Sequence, residues 1–313
     1  MNHKILITGA AGYIGSVLTP LLLQEGHEII AYDNLTFGGS SLIACAGYKK
    51  FNFINGDIRD KIKLEQYIRK SDLIIPLAAV VGQSACDLDP WSTKSVNIEA
   101  HKDMIDLLSK NQKVLFPSTQ SGYGVMKSED YCTEESILNP ISSYGISKVE
   151  IEKALLDRGN AITLRSATVF GMSPRMRIDL LVNDFTYRAW KDGVIVLFEK
   201  NFRRNFIHVR DLSNAFIHCI NNWDAMKNKP YNVGLSAANL SKLQLAQAIK
   251  EILPNLIIIE NNYIQDPDKR DYLVSNSRIE SMGWVPEKSL KDGILEMKTG
   301  FEMLGRGAYQ NVI

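Results

Sequence analysis

Tyr144 and Lys148 stand four residues apart in a stretch that opens Asn139-Pro140-Ile141-Ser142-Ser143. That spacing places both side chains on one face of a helix. A phenol and an ammonium titrate near about 10 and 10.4, so neither is a good base at neutral pH alone, but an adjacent cation favours the phenolate. Upstream, the segment Pro117-Ser118-Thr119-Gln120-Ser121-Gly122-Tyr123-Gly124 leaves an apolar run. Ser118 and Thr119 suit a turn, and a hydroxyl there can also share a proton with a substrate alcohol held by Tyr144. Removing an alcohol proton in this way oxidises the carbon only if something nearby accepts a hydride.

A site for such an acceptor is written at the start of the chain, in Ile5-Leu-Ile-Thr-Gly9-Ala-Ala-Gly12-Tyr13-Ile14-Gly15. An apolar strand runs there into three glycines at three-residue spacing and then into a helical pattern. Gly9 permits the tight reversal, Gly12 lets bare backbone approach a pyrophosphate, and Gly15 lets the helix pack close to its strand. The helix N-terminus offers N–H groups and partial positive charge to phosphates. A second strand, Glu28 to Tyr32, ends at Asp33, near the ~20-residue offset of a ribose-binding acid. A carboxylate there accepts from both ribose hydroxyls and repels a 2′-phosphate, which selects NAD over NADP. Asp33 also fits a plain turn in Asp33-Asn34.

The elements that must position these groups alternate. Strand-like runs at Lys4–Thr8, Glu28–Tyr32, Phe51–Asn55, Leu73–Leu77, Lys113–Pro117 and Ala161–Arg165 are separated by helical ones. That alternation predicts an α/β fold, a doubly wound parallel sheet of Rossmann type covered by helices on both faces. After Gly171 the texture changes, and the remaining strands and helices read as a smaller α/β lobe interleaved with the first. The expected division is 1–170, with 205–234 returning to it, as the dinucleotide domain, and 171–204 with 235–313 as the substrate lobe. No linker or repeat separates them.

Composition excludes several classes. The 313 residues are 45% hydrophobic, enough for a large core, and 36 Lys and Arg balance 35 Asp and Glu. No global field recruits nucleic acid or an acidic membrane. Cys45, Cys86, Cys132 and Cys219 lie far apart, without zinc or redox spacing, and the five histidines show no ligand pattern, so no metal is expected. Neither a leader nor an apolar run of ~20 residues is present, which leads us to expect a cytoplasmic protein with reduced, partly buried thiols. Arg204, just before a strand, and Arg270, in Asp266-Pro267-Asp268-Lys269-Arg270-Asp271, have the guanidinium forks that suit phosphates. Either also fits a solvated loop. Arg175 and Arg177 are weaker candidates, and His208, inside an apolar strand, reads as structural.

Taken in order, Thr8-Gly-Ala-Ala-Gly-Tyr-Ile-Gly15, Asp33-Asn-Leu, Gly56-Asp57-Ile-Arg-Asp60, Leu77-Ala-Ala79, Asn97, Thr119 with Tyr123-Gly124, and Tyr144-x-x-x-Lys148 resemble the extended short-chain dehydrogenase/reductases that act on nucleotide sugars. Val169-Phe-Gly171, Arg204-Asn-Phe-Ile-His-Val-Arg-Asp211, Asn232-Val-Gly234 and Gly283-Trp-x-Pro286 extend the resemblance over nearly the whole chain. It implies a catalytic set of Thr119, Tyr144 and Lys148. It implies NAD contacts from Gly9, Gly12, Tyr13, Ile14, Gly15, Asp33, Asn34, Leu77, Ala78, Ala79, Asn97, Ser118, Tyr144 and Lys148, with Asp57 and Ile58 at the adenine end. Thr168, Asn183, Arg204 and Arg270 would contact the nucleoside-diphosphate sugar. Helices around Asn97–Lys110 and Ser143–Asp157 would pair two copies into a homodimer.

Departures from the pattern narrow the reaction. The family's 4,6-dehydratases carry acid after the catalytic Thr, to eliminate water across carbons 5 and 6. Here the residues are Gln120 and Ser121, and neither is a useful acid at neutral pH. Thr168 stands where epimerases often have a substrate-binding Asn. Two reactions remain, a 4-epimerase and a dehydrogenase that releases a 4-keto sugar, and both use the same three residues. The whole sequence is similar to bacterial dehydrogenases that oxidise GDP-manno-heptose at carbon 4 in capsule biosynthesis, which favours the second. A catalytically silent NAD-binding sensor or scaffold is disfavoured, because Tyr144 and Lys148 are both present.

Overall fold

The computed structural model describes residues 2–126, 130–261 and 269–304. Five parallel strands, β1 (Lys4–Thr8), β2 (Glu28–Asp33), β3 (Phe51–Asn55), β4 (Leu73–Pro76) and β5 (Lys113–Thr119), lie side by side. With Ala161–Ser166 and Lys229–Val233 they make a seven-stranded sheet. Its order is Lys229–Val233, Ala161–Ser166, β5, β4, β1, β2, β3. The order reverses at β1, where doubly wound sheets open a crevice at the carboxyl ends of their strands. Strand interiors such as Ile5, Leu6, Ile7 and Leu73 to Ile75 are fully buried, as a sheet covered on both faces requires.

Helices of the same unit include α1 (Gly15–Gln24), α2 (Lys61–Ile68), α3 (Gln83–Leu88), α4 (Pro90–Lys94), α5 (Ala100–Leu107) and α6 (Ser143–Arg158). A π-helical turn, Ser95–Glu99, joins α4 to α5. Ser142 caps α6 by accepting from the Gly145 N–H at 3.1 Å, and Gly159 at φ +84° ends it, the start and stop the sequence predicts. Within α6, Glu152 forms a buried ion pair with Arg165 of the neighbouring strand at 2.7 Å. No helix among the described residues is long and apolar enough to cross a membrane. All four cysteines are buried and free.

The chain forms two compact units, one of 1–122, 140–165 and 213–231, the other of 123–139, 166–212 and 232–313. This corrects the expected boundaries in two places. Residues 123–139 belong to the second unit, because the Tyr123 hydroxyl bonds the Thr133 carbonyl and Asn232 Oδ1 at 2.9 and 2.8 Å. Tyr123 and Cys132 also pack with Tyr272 and Val274. Strand Arg203–His208, expected to return to the main sheet, pairs instead with Thr168–Phe170 and Asn239–Ser241 in a three-stranded sheet. In the second unit His208 is fully buried against Phe170, with Nε2 2.9 Å from Glu296, the structural role expected of it.

Candidate active site

In the first unit the glycine turn has the geometry its spacing demands. Gly9 sits at φ +70°, and a Cβ there would lie 2.6 Å from the Ala78 nitrogen, while one on Gly15 would lie 2.5 Å from the Ala10 carbonyl oxygen. Both places admit only glycine. No side chain caps α1 and no acid stands in its first turn, so the helix end keeps its affinity for an anion. Tyr13 is buried, Ile14 is the N-cap residue and Gly12 closes the turn through its N–H to the Gly9 carbonyl at 3.1 Å. At the end of β2, Asp33 accepts from Ala11 N–H at 3.0 Å and Leu35 N–H at 2.8 Å. Burial raises its pKa while those two bonds oppose the shift. A glycine cradle, an open helix end and a carboxylate at the next strand end together fit a dinucleotide.

The two adenine-side candidates have contacts of their own. Asp57 accepts both forks of Arg59 at 2.9 and 2.7 Å and the Asn34 amide at 3.0 Å, and Arg59 holds its carboxyl well below the usual range. Its side chain therefore fixes the loop geometry. Ile58 is 8% exposed and packs into the core with Leu6, Ile30 and Leu64. Arg59, which sequence reasoning passed over, stacks 5.5 Å from the Trp91 ring; its place in Gly56-Asp57-Ile58-Arg59-Asp60 was the available signal.

Asn97 is also given a definite task. From the π-helical turn its Oδ1 accepts from the Val80 N–H at 2.8 Å and its Nδ2 donates to the Val80 carbonyl at 2.9 Å. It thus clamps the loop after β4, which holds Leu77, Ala78 and Ala79. Leu77 continues the parallel register by donating to the Thr8 carbonyl at 2.9 Å.

The catalytic candidates lie at the end of β5 and the start of α6. Gly145 lets the first turn of α6 lie close to the Ser121 carbonyl, where an added Cβ would be 3.3 Å away. Tyr144, half-buried, is one residue before it in that turn. Thr119 Oγ1 accepts from the Ser121 N–H at 3.1 Å and donates to Ser121 Oγ at 3.0 Å. The single Thr119 proton is thus engaged by Ser121 Oγ. Ser118 and Gln120, on either side, are buried, and Ser118 Oγ and both amide atoms of Gln120 have no hydrogen-bond partner.

Lys148, one turn along the same face, is 4% exposed with Nζ 4.6 Å from the Phe116 ring centroid. Burial pushes its ammonium down to about 8, and the Cys86 thiol of α3 works weakly against that shift. An unfolded lysine titrates near about 10.4, so the unfolded chain binds more protons between those values and stability rises with pH across that window. Below pH 8 the buried charge exerts its full destabilising effect. Lys148→Met is therefore expected to unfold at higher urea than the parent protein at pH 7, with the gap narrowing by pH 9.5. A lower midpoint at pH 7 would show that contacts made by the ammonium outweigh its desolvation.

The substrate candidates lie in the second unit. Thr168 opens strand Thr168–Phe170. Asn183 is fully buried and uses its amide on the Gly171 N–H at 3.0 Å and the Arg177 carbonyl at 2.8 Å. It shapes the loop between them. Arg204 is 3% exposed with its guanidinium 5.5 Å over the Tyr272 ring. Arg203 pairs with Asp271 through Nε at 3.0 Å. These contacts bring Arg204 to the segment that carries half-buried Arg270; residues 266–268 of that loop lie outside the described residues.

Comparison with known proteins agrees with this geometry. A family model described as the NAD dependent epimerase/dehydratase family matches residues 5–234. A putative UDP-glucose 4-epimerase of Methanocaldococcus jannaschii is 29% identical over 310 residues, 93% of this chain and 95% of that protein. UDP-glucuronic acid decarboxylase 6 of Arabidopsis thaliana is 26% identical over 317 residues, 96% of this chain and 90% of that protein. Among solved structures, the UDP-glucuronic acid 4-epimerase of Bacillus cereus in complex with UDP-glucuronic acid and NAD superposes with a TM-score of 0.85, at 22% identity, covering 96% of this chain and all of that one. The glycine cradle, the strand-end acid and a match over most of the chain place this protein in the NAD-dependent epimerase/dehydratase family of nucleotide-sugar enzymes.

Proposed function

We propose that this protein oxidises the 4-hydroxyl of a nucleoside-diphosphate sugar, a GDP-manno-heptose or a related GDP-sugar, to the 4-keto sugar in surface polysaccharide biosynthesis. The observation that carries the reading is Tyr144 and Lys148 on one face of α6, whose first turn is seated at the Thr119–Ser121 corner, in the unit that also bears the glycine cradle. NAD, when bound, supplies the acceptor for the hydride that leaves carbon 4. Gly9, Gly12, Gly15 and the α1 N-terminus would hold its pyrophosphate and Asp33 its ribose. Tyr144 takes the alcohol proton as general base. Lys148 stabilises the phenolate, and Thr119, its hydroxyl rotated from Ser121 Oγ toward the substrate, donates a hydrogen bond to the sugar oxygen, fixing it for proton loss. Arg204 and Arg270 are the proposed diphosphate contacts.

The resemblance to GDP-heptose 4-dehydrogenases read from the sequence is the ground for favouring release of the ketone. A second reading, a 4-epimerase with retained NAD, is favoured by the names of relatives such as the M. jannaschii protein. An NMR time course with GDP-manno-configured hexose and heptose, with UDP-glucose as contrast, separates the two. A new ketone with stoichiometric NADH supports the dehydrogenase, and a new diastereomer without NADH overturns it. We also propose that two copies pair through the α5 and α6 region, which sedimentation velocity tests. For the cofactor, Asp33→Asn is expected to weaken NAD binding at least about ten-fold and to erase most of the preference over NADP, as isothermal titration would measure. Unchanged affinity would remove Asp33 from the ribose site.

A further inference from the structure

Behind the Tyr144–Lys148 pair lies a buried polar group that the reaction as described does not use. Val114 and Phe116 of β5 face α6, and Ser118 continues that row, since alternate residues of a strand share a face. His101 of α5 meets the same Phe116 ring edge-on at 6.0 Å between centroids, and Lys148 Nζ lies 4.6 Å from that ring. His101 is 2% exposed, and its Nδ1 is 2.9 Å from the Val96 carbonyl in the π-helical turn. Nδ1 must therefore carry the proton, which leaves a lone pair on Nε2. That Nε2 has no hydrogen-bond partner, and neither does Ser118 Oγ.

Two orphaned groups on the elements that flank one buried ammonium form a coherent set, because acceptors buried without partners destabilise a fold while a buried ammonium needs acceptors. We propose that His101 is a positioning residue for Lys148, its Nε2 and Ser118 Oγ holding one water that accepts a hydrogen bond from the ammonium. The inference rests on Lys148 supporting Tyr144 as proposed above. Among the described residues Cys86 on α3 acts on the ammonium and the ammonium acts on His101 of α5; Tyr144 and buried Glu152 lie one turn to either side on its own helix, while Val114, Phe116 and Ser118 of β5 add none. Burial and the Lys148 charge together push the imidazole down to about 4, so it remains a neutral acceptor throughout the working range. Removing that acceptor lowers the charged fraction of Lys148 and weakens its support of the phenolate.

The test uses the full chain with GDP-mannose, and with the GDP-heptose in parallel. His101→Phe is expected to cut kcat about ten-fold with KM within about two-fold, and to move the rising limb of the kcat–pH profile up by about one unit. Melting of the cofactor-free protein is expected not to fall, because an unsatisfied acceptor has been removed. His101→Gln, which returns an amide oxygen near the Nε2 position, is expected to restore most of the profile. Ser118→Ala is expected to shift the limb in the same direction by less. A wild-type pH profile in His101→Phe and Ser118→Ala overturns the proposal, as does a rate loss that tracks a lower melting temperature and is not rescued by Gln. Tyr144→Phe is run alongside. If it retains turnover, or if the parent protein turns over neither sugar, the enzymatic reading fails and takes this inference with it. If it is inactive while His101→Phe keeps the parent profile, only the role of His101 falls.

Discussion

Tyr144→Phe is expected to lower turnover of the nucleotide sugar by about 10²–10⁴-fold while NAD affinity and melting temperature stay unchanged. The substitution removes one hydroxyl from a half-buried ring at the first turn of α6. It leaves the Ser142 cap, the Gly145 approach and the Lys148 face as they are. Loss confined to kcat, with KM nearly constant, would mark an interaction made in the transition state. Turnover within a few-fold of the parent would remove Tyr144 as the base.

Glu152→Ala is expected to destabilise the fold by about 3–5 kcal/mol, the largest stability effect foreseen for a single side chain here. Glu152 and Arg165 are 2% and 5% exposed, and the guanidinium reaches one carboxylate oxygen through Nε at 2.9 Å and a terminal nitrogen at 2.7 Å. Truncating the acid takes the Glu152 carboxylate away from a buried guanidinium between α6 and the strand Ala161–Ser166. The double variant Glu152→Leu with Arg165→Met is expected to recover most of the loss, since neither charge of the pair is then buried. Urea denaturation of the singles and the double measures it. A Glu152→Ala protein within 1 kcal/mol of the parent would show that water reaches Arg165.

The features legible in the sequence were those enforced by backbone geometry. Gly9 and Gly15 are glycines because neighbouring backbone fills the space of a side chain, and such constraints leave a fixed spacing behind. The ends of α6 were equally plain, since Ser142 and Gly159 are cap residues by type. Periodicity found β1 to β5 within two residues of their observed ends, because strands buried on both faces are continuous apolar runs.

What stayed hidden depended on where side chains point. Asn183 looks like any polar helix residue until its amide is seen bonded to Gly171 and Arg177. Asn97 gives no sign in sequence that it clamps Val80, 17 positions away. Residues 123–139 follow β5 directly, yet the Tyr123 hydroxyl commits them to the second unit through Asn232, 109 positions on. His101 lies in an ordinary amphipathic helix, and only the orphaned Nε2 distinguishes it.

The central claim is that a hydride leaves carbon 4 of a nucleotide sugar as Tyr144 takes the proton. A GDP-manno-heptose carrying deuterium at carbon 4 tests it most directly, with the nicotinamide and the sugar product analysed separately by mass spectrometry. The account predicts label in released NADH and a 4-keto sugar without it. Label retained at carbon 4, in either configuration, or lost to water, would contradict it.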